Sequence, residues 1–229
     1  LRMDADTTAA RFAHERKLSA FAAGEYDIML GTQMVAKGLD FENVTLVGVV
    51  SADGQLYSDD YRSLERTFSL LTQVVGRAGR GKYLGSAVIQ TMTPENPVIR
   101  FAATQDYDSF YDTEMQIRKL MTYPPYCDLC TFTFSGVSQR ETELASQSFL
   151  QQFKELASAE YANEKLIVLG PAPPRAARIS GKYRYRIIVK CRMRAATREM
   201  MARLLTGFGL DPRYRNITLF PDVHPESIF

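Results

Sequence analysis

Short apolar runs alternate with segments of helical periodicity along the first 95 residues. The runs Asp27–Gly31, Thr45–Ser51 and Ser86–Met92 predict buried strands, and the apolar spacing of Ala9–Ala23 and Ser63–Val75 predicts helices. Strands that alternate with helices pair in parallel, with helices covering both faces of the sheet. We therefore expect an α/β fold here.

A helical pattern from Asn96 to Met121 follows and ends before Tyr123-Pro124-Pro125-Tyr126. Proline cannot donate a backbone hydrogen bond, and it pushes the preceding residue out of helical geometry. We therefore expect three segments: an α/β domain over 1–95, a helical connector over 96–125 and a last domain over 126–229.

The last domain mixes both patterns. Alternation predicts strands at Leu129–Ser135, Lys165–Gly170 and Ile217–Phe220, and a hairpin turning at Ser180-Gly181 with Tyr183–Lys190 as its return strand. Periodicity predicts two helices, Glu141–Ser158 and Ala195–Phe208. The combination is typical of a small α+β domain.

Charge separates the two halves. Residues 1–125 carry 13 basic and 16 acidic side chains, whereas residues 126–229 carry 15 basic and 10 acidic ones, so the overall net charge of +2 conceals a basic second half. Ten basic residues and one acid lie between Arg175 and Arg203. Such a cluster attracts polyanions, nucleic acid among them.

Three cysteines in 229 residues do not build a disulfide scaffold, and they favour a reducing cytoplasm. The longest apolar run, near Val44–Val50, is far shorter than the roughly 20 residues that cross a bilayer. The chain starts at Leu1 without an initiator Met, so we expect a piece of a longer protein.

Two motifs carry chemistry in the first domain. Gly76-Arg77-Ala78-Gly79-Arg80-Gly81 sets two guanidinium groups three residues apart at a helix end, a spacing suited to phosphate contact. On its own it reads equally well as a solvated glycine-rich turn. Upstream, the segment 31–41 (GTQMVAKGLDF) begins where a strand stops, and ligands of open α/β sheets bind at that edge.

Together, GTQMVAKGLDF and QVVGRAGR resemble motifs V and VI of superfamily 2 helicases, and the details resemble the PriA family of replication-restart DNA helicases. The similarity extends over nearly the whole chain, through RMDADTT, SADGQLYSDDYRSLERTFSLLTQ, YPPY, VLGPAP and PDVHP. It implies that residues 1–95 are most of a second RecA-like lobe and that 126–229 form the C-terminal domain of that family.

The resemblance implies roles for individual residues. Arg80 would be an arginine finger, Arg77 a second γ-phosphate contact and Gln73 a nucleotide sensor. Gly38 and Asp40 would lie beside the nucleotide, and Asp53 would couple the nucleotide and DNA sites. Thr32, Gln33 and Lys37 would contact DNA.

The resemblance also implies what lies elsewhere. The sequence contains no Gly-x-x-x-x-Gly-Lys-Ser/Thr loop and no acidic box, so ATP and Mg²⁺ would be bound only by the full-length protein, and this chain alone should not hydrolyse ATP. The zinc module of the family would lie upstream. Because Cys127-x-x-Cys130 has no second Cys pair or nearby His, we predict no metal site here.

The hairpin strand of the last domain alternates Lys182, Arg184 and Arg186 on one face with Tyr183 and Tyr185 on the other. The basic face would contact DNA phosphates, and base stacking would require a tyrosine exposed at the hairpin tip. The competing interpretation is that the tyrosines are core and the basic residues are merely solvated.

Arg194 and Arg198 stand four apart on one helix face. They could bind the acidic tail of the single-stranded DNA-binding protein, a partner that the resemblance implies together with single-stranded and forked DNA and other primosome proteins. An ordinary solvated face explains the same pair. The predicted function is thus the C-terminal part of an ATP-dependent replication-restart DNA helicase; the alternative is a nucleic-acid-binding or primosome-scaffold module without a motor.

Overall fold

A computed structural model describes residues 1–4, 13–32, 41, 43–76 and 85–228. The chain divides into two compact units, residues 1–58 with 62–114, and residues 59–61 with 115–229. Within the described residues, no helix has the length and apolar character needed to cross a membrane.

The first unit is built on two short parallel strand pairs. β1 (Arg2–Met3) pairs with β2 (Leu30–Gly31), and β3 (Leu46–Val49) pairs with β4 (Ser86–Ile89). The helices are α1 (Ala13–Ala22), α2 (Asp53–Leu56), α3 (Ser63–Val75), α4 (Pro97–Thr104) and the first half of α5 (Tyr107–Met121). Parallel pairing is as predicted, and α3 has the predicted bounds.

The predicted burial of the first-unit strands is wrong in the part of the chain that the structure describes. Val49 and Ile89 pack against a core that includes Phe68 and Leu71 of α3, so one face of the β3–β4 pair is covered. Leu46 and Val88, on the other face, stay 62% and 58% exposed. Apolar composition predicts a strand, but it does not tell which neighbours cover each face.

The predicted helical segment 96–121 is two helices. Asn96 caps α4 by accepting a hydrogen bond from the Val98 N–H at 2.9 Å. Gln105 then adopts the left-handed conformation, with φ 56°, which ends α4. Asp106 precedes the next helix, and its carboxylate accepts from the Ser109 N–H at 3.1 Å. Hydrogen bonds from the side chain and the backbone N–H of Ser109 lower the pKa of this carboxyl.

The second unit is a five-stranded sheet with two helices. Its strands are β5 (Asp128–Gly136), β6 (Ile167–Ala172), β7 (Arg178–Ile179), β8 (Lys182–Cys191) and β9 (Thr218–Val223), in the order β6-β8-β5-β9 with β7 also paired to β8. All these pairs are antiparallel. The helices α6 (Gln139–Glu160) and α7 (Ala195–Leu210) confirm the predicted α+β pattern.

One face of this sheet is packed by the helices. Phe132 and Phe134 of β5 meet Phe149 of α6 at ring-centroid distances of 5.1 and 5.4 Å, and Phe134 meets Phe208 of α7 at 5.6 Å. Phe132, Phe134 and Phe149 are fully buried, and each contributes about 2 kcal/mol or more of transfer free energy to the core on this face. We call it the packed face. The other face is called the open face.

Candidate nucleic-acid interface

The open face carries the residues that alternate with the core along β5, β8 and β9. Because side chains of a strand alternate between faces, Tyr185 and Ile187 enter the core while Arg184 and Arg186 project from the open face. The register places Arg184 opposite Ser135 and Arg186 opposite Thr133. The predicted separation of basic and aromatic residues of β8 is therefore observed.

These residues line a groove of about 360 Å³. Its walls are hydroxyl and basic side chains with one aromatic ring and one carboxylate, and we call it the basic groove: Thr131, Thr133, Ser135, Lys182, Arg184, Arg186, Thr218, Phe220, Asp222 and Ser227. Three cations and several hydroxyl groups together are the donors that bind phosphate oxygens.

The guanidinium of Arg186 is held in place by a hydrogen bond to a neighbouring strand. Its Nε donates to the Thr133 hydroxyl at 3.1 Å, which fixes the direction of the guanidinium. Burial lowers the pKa of Arg186, and nearby Arg184 acts in the same direction while Asp222 opposes it. Arginine stays protonated in proteins, so the half-buried guanidinium keeps its charge next to the groove.

The backbone at Arg186 is approached closely by Gly170 of β6. A Cβ at position 170 would lie 2.5 Å from the Arg186 carbonyl oxygen, and Gly170 has φ +91°. Only glycine fits this irregular point of the β6–β8 pairing, which lies between Leu169 and Ala172. The VLGPAP segment thus supports the strand that presents the basic side chains.

Both tyrosines of the hairpin strand contact residues of their own unit. Tyr185 is 7% exposed and its hydroxyl donates to Glu143 at 3.1 Å. The Arg178 guanidinium lies over the Tyr183 ring, and its Cζ atom is 4.9 Å from the ring centroid. The sequence pattern pointed to these two rings and missed Phe220, whose place on the open face depends on the pairing of β9 with β5.

Several members of the basic run have partners in their own unit. Lys190 donates to the Met121 carbonyl at 2.7 Å and Arg192 to the Pro125 carbonyl at 3.3 Å. Arg203 pairs with Glu160, at 2.9 Å for one of its two contacts. Because these cations contribute to the fold, fewer than ten charges are presented to a ligand.

Arg194 and Arg198 are both exposed at the start of α7. Arg194 is the N-cap residue, and its carbonyl accepts from the Arg198 N–H at 3.0 Å. The pair lies one helical turn apart, as the spacing predicted.

In the first unit, the structure describes Asp53 and Gln73 of the predicted nucleotide site and Thr32 of the predicted DNA contacts. The carboxylate of Asp53 accepts from the Thr91 hydroxyl at 2.8 Å and from the Met92 N–H at 3.1 Å, which ties α2 to the segment after β4. Gln73 donates to the Ser69 hydroxyl at 3.1 Å within α3. Thr32 is exposed directly after β2.

The other residues of the first unit that were predicted to contact the nucleotide or DNA lie outside the described residues. They are Gln33, Lys37, Gly38, Asp40, Arg77 and Arg80.

The Cys-x-x-Cys pair does not converge. Cys130 packs in the large core, where burial raises the pKa of its thiol to about 12, whereas Cys127 belongs to a separate cluster with Leu129 and Ile188. The two thiols lie apart because positions three apart along an extended strand face opposite ways. Among the described residues, no group of three or more potential ligands is positioned to hold a metal ion.

Two family models match the sequence. "Helicase conserved C-terminal domain" matches residues 3–82, and "Primosomal protein N C-terminal domain" matches residues 119–225. Replication restart protein PriA of Bacillus subtilis (strain 168) is 40% identical over 225 residues, 98% of this chain and 27% of that protein. The chain belongs to the PriA family.

Other PriA proteins have similar identities to this chain. The PriA proteins of Synechocystis sp. and Chlamydia pneumoniae are 43% and 34% identical, over 83% and 100% of this chain and 22% and 30% of their own lengths. The chain therefore spans less than a third of these relatives, and it corresponds to the C-terminal portion of the family, a RecA-like second lobe followed by the PriA C-terminal domain. The alternative of a nucleic-acid-binding or primosome-scaffold module without a motor is not favoured.

Among solved structures, a hydantoinase/carbamoylase family amidase from Burkholderia ambifaria aligns with 42% of this chain and 27% of its own, at a TM-score of 0.33 and 11% identity. This similarity is too low to carry an argument.

Proposed function

We propose that the chain supplies motifs V and VI and a DNA-binding domain to an ATP-dependent DNA helicase that restarts replication at stalled forks. The observation that carries the DNA-binding part is the basic groove on the open face of the second unit. The name and extent of the PriA relatives support the helicase part.

The groove suits DNA backbone binding. Lys182, Arg184 and Arg186 follow one another along the same face of β8, and alternate residues of a strand lie about 6.6 Å apart. This spacing is close to the separation of successive phosphates in an extended single strand. Phosphate contact by such cations is sequence-independent and releases counterions, as a protein that binds any stalled fork requires.

The experiment compares charge reversal inside and outside the groove. We expect the double variant Arg184→Glu/Arg186→Glu of this chain to bind single-stranded and forked oligonucleotides roughly tenfold or more weakly in fluorescence anisotropy. The slope of log K against log salt should fall by about 1.4, which is two single-strand phosphate contacts.

The double variant Arg140→Glu/Lys154→Glu is the matched control, because it changes the net charge by the same amount and both residues are exposed on α6, the helix on the packed face. Equal weakening by the control would mean that net charge, rather than the groove, governs binding. Unchanged binding by the double variant would remove DNA from the groove.

For the nucleotide site, we propose that Arg80 and Arg77 stabilise charge on the transferring phosphate of ATP and that Gln73 senses the nucleotide. Gly38, Asp40 and Asp53 would border the nucleotide, and Thr32, Gln33 and Lys37 would contact DNA. The hydrogen bonds of Asp53 with Thr91 and Met92, at the ends of β3 and β4, are compatible with a coupling role. ATP, Mg²⁺ and a zinc module belong to this proposal for the full-length protein only.

For partners, we propose that Arg194 and Arg198 bind the acidic tail of the single-stranded DNA-binding protein and that other primosome proteins join at the fork. Both guanidinium groups are exposed, which this role needs.

The cysteines Cys127, Cys130 and Cys191 are all free thiols, as a reducing cytoplasm would leave them.

A further inference from the structure

Phe220 is exposed in the basic groove. It lies on β9, where Leu219 packs against the core and Phe220 consequently points to the open face. Its exposed fraction is 68%. The ring therefore adds little to the core, and its place beside the cations calls for a different explanation.

The strand register sets Phe220 in line with Arg186. Thr133 of β5 is opposite Arg186 on one side and opposite Phe220 on the other. Neighbouring strands lie about 4.8 Å apart, so the row from Arg186 through Thr133 to Phe220 spans about 10 Å. One end of this row offers a cation and a hydroxyl group, and the other end offers an aromatic ring.

We propose that Phe220 stacks on a nucleobase of single-stranded DNA whose phosphates contact the cations of β8. The inference rests on the proposed DNA binding of the groove and adds to it a preference for unpaired bases. Aromatic rings on an exposed sheet surface bind bases of any sequence, because every base has a π-face. The bases of a duplex have both faces covered by their neighbours, so only a single strand can use the ring.

The test crosses a protein change with a DNA change. Wild-type chain and Phe220→Leu are each titrated with an oligo-dT and with an abasic oligonucleotide of the same length, which carries the same phosphates without bases. We expect the wild type to prefer oligo-dT by at least about fivefold, the effect of one stacked base. Phe220→Leu should bind both oligonucleotides alike, and Phe220→Trp should keep the preference.

Two controls make the result specific to the ring. Leu210→Ala removes an exposed apolar side chain at the end of α7 and should leave the preference intact. The unfolding midpoint of Phe220→Leu should match that of the wild type, because the ring is largely exposed.

Equal affinity of Phe220→Leu and wild type for oligo-dT would overturn the stacking role, and so would an equal loss on both oligonucleotides. If the stacking role alone is wrong, Arg184→Glu/Arg186→Glu still weakens binding to both. If that double variant binds both oligonucleotides normally, the groove is not the DNA site and the underlying proposal fails as well.

Discussion

Lys190 and Arg184 lie on the same face of the same strand, yet their surroundings differ completely. Lys190 is 6% exposed, its ammonium lies 3.6 Å from the centroid of the Tyr123 ring, and it donates to the Met121 carbonyl. Arg184 is half-buried and lines the basic groove. One cation belongs to the fold, whereas the other faces a groove that a ligand can enter.

The difference follows from what covers each end of the open face. At the Lys190 end, Leu129, Ile188 and Ile228 form a small apolar cluster on which Tyr61 and Tyr123 pack. The Ile228 N–H donates to Asp60 at 3.2 Å, which fastens the segment after β9 over this end. Burial there lowers the pKa of Lys190. Positive charge along a strand is thus available to a ligand only where the fold leaves it uncovered.

The same substitution at these two positions gives the largest expected contrast. Lys190→Glu places a carboxylate against the face of the Tyr123 ring and the Met121 carbonyl, so we expect a loss of roughly 3 kcal/mol or more in the free energy of unfolding. Arg184→Glu should change stability by no more than about 0.5 kcal/mol. Urea unfolding followed by circular dichroism measures both.

For DNA binding we expect the opposite contrast, with the larger effect at Arg184. Arg184→Glu should weaken oligonucleotide binding, while folded Lys190→Glu protein, measured well below its unfolding midpoint, should bind almost normally. Similar stability losses for the two variants would contradict the distinction between a covered end of the open face, at Lys190, and an uncovered end, at Arg184.

How far the sequence predicts this molecule differs between local and long-range features. Local signals are dependable: α3 has the predicted bounds, and Gly76 follows it as the C-cap residue. The alternation along β8 likewise places Lys182, Arg184 and Arg186 on one face. Each of these depends on residues that are neighbours in the chain.

Features made by distant residues were not predictable from pattern alone. The burial of Lys190 depends on its contacts with Met121 and Tyr123, about 70 residues away in the chain. Phe220 joins the groove only because β9 pairs with β5. The break at Gln105 was missed because the apolar periodicity continues on either side of it.

A smaller effect is expected at Asp222, the carboxylate of the groove. It lies opposite Thr131 in the β5–β9 pair and would repel a phosphate bound on the same open face. Asp222→Asn should strengthen DNA binding by about two- to fivefold, since exposed charge interactions are worth up to about 1 kcal/mol. Anisotropy at low salt measures this change.

The control for Asp222→Asn is Glu199→Gln. It neutralises an exposed carboxylate of α7, the helix that covers the packed face of the sheet. If both variants strengthen binding equally, the gain comes from net charge and says nothing about the groove. A weaker complex with Asp222→Asn would contradict the placement of phosphates beside Asp222.

The most direct test of the central claim, that the uncovered end of the open face is the DNA site, is photocrosslinking with mapping by mass spectrometry. A single-stranded oligonucleotide that carries 4-thiothymine is irradiated with this chain, and the crosslinked peptides are sequenced. We predict crosslinks within 182–186 and 218–222, with Phe220 among the modified residues. Crosslinks confined to the helices α6 and α7 would contradict the account.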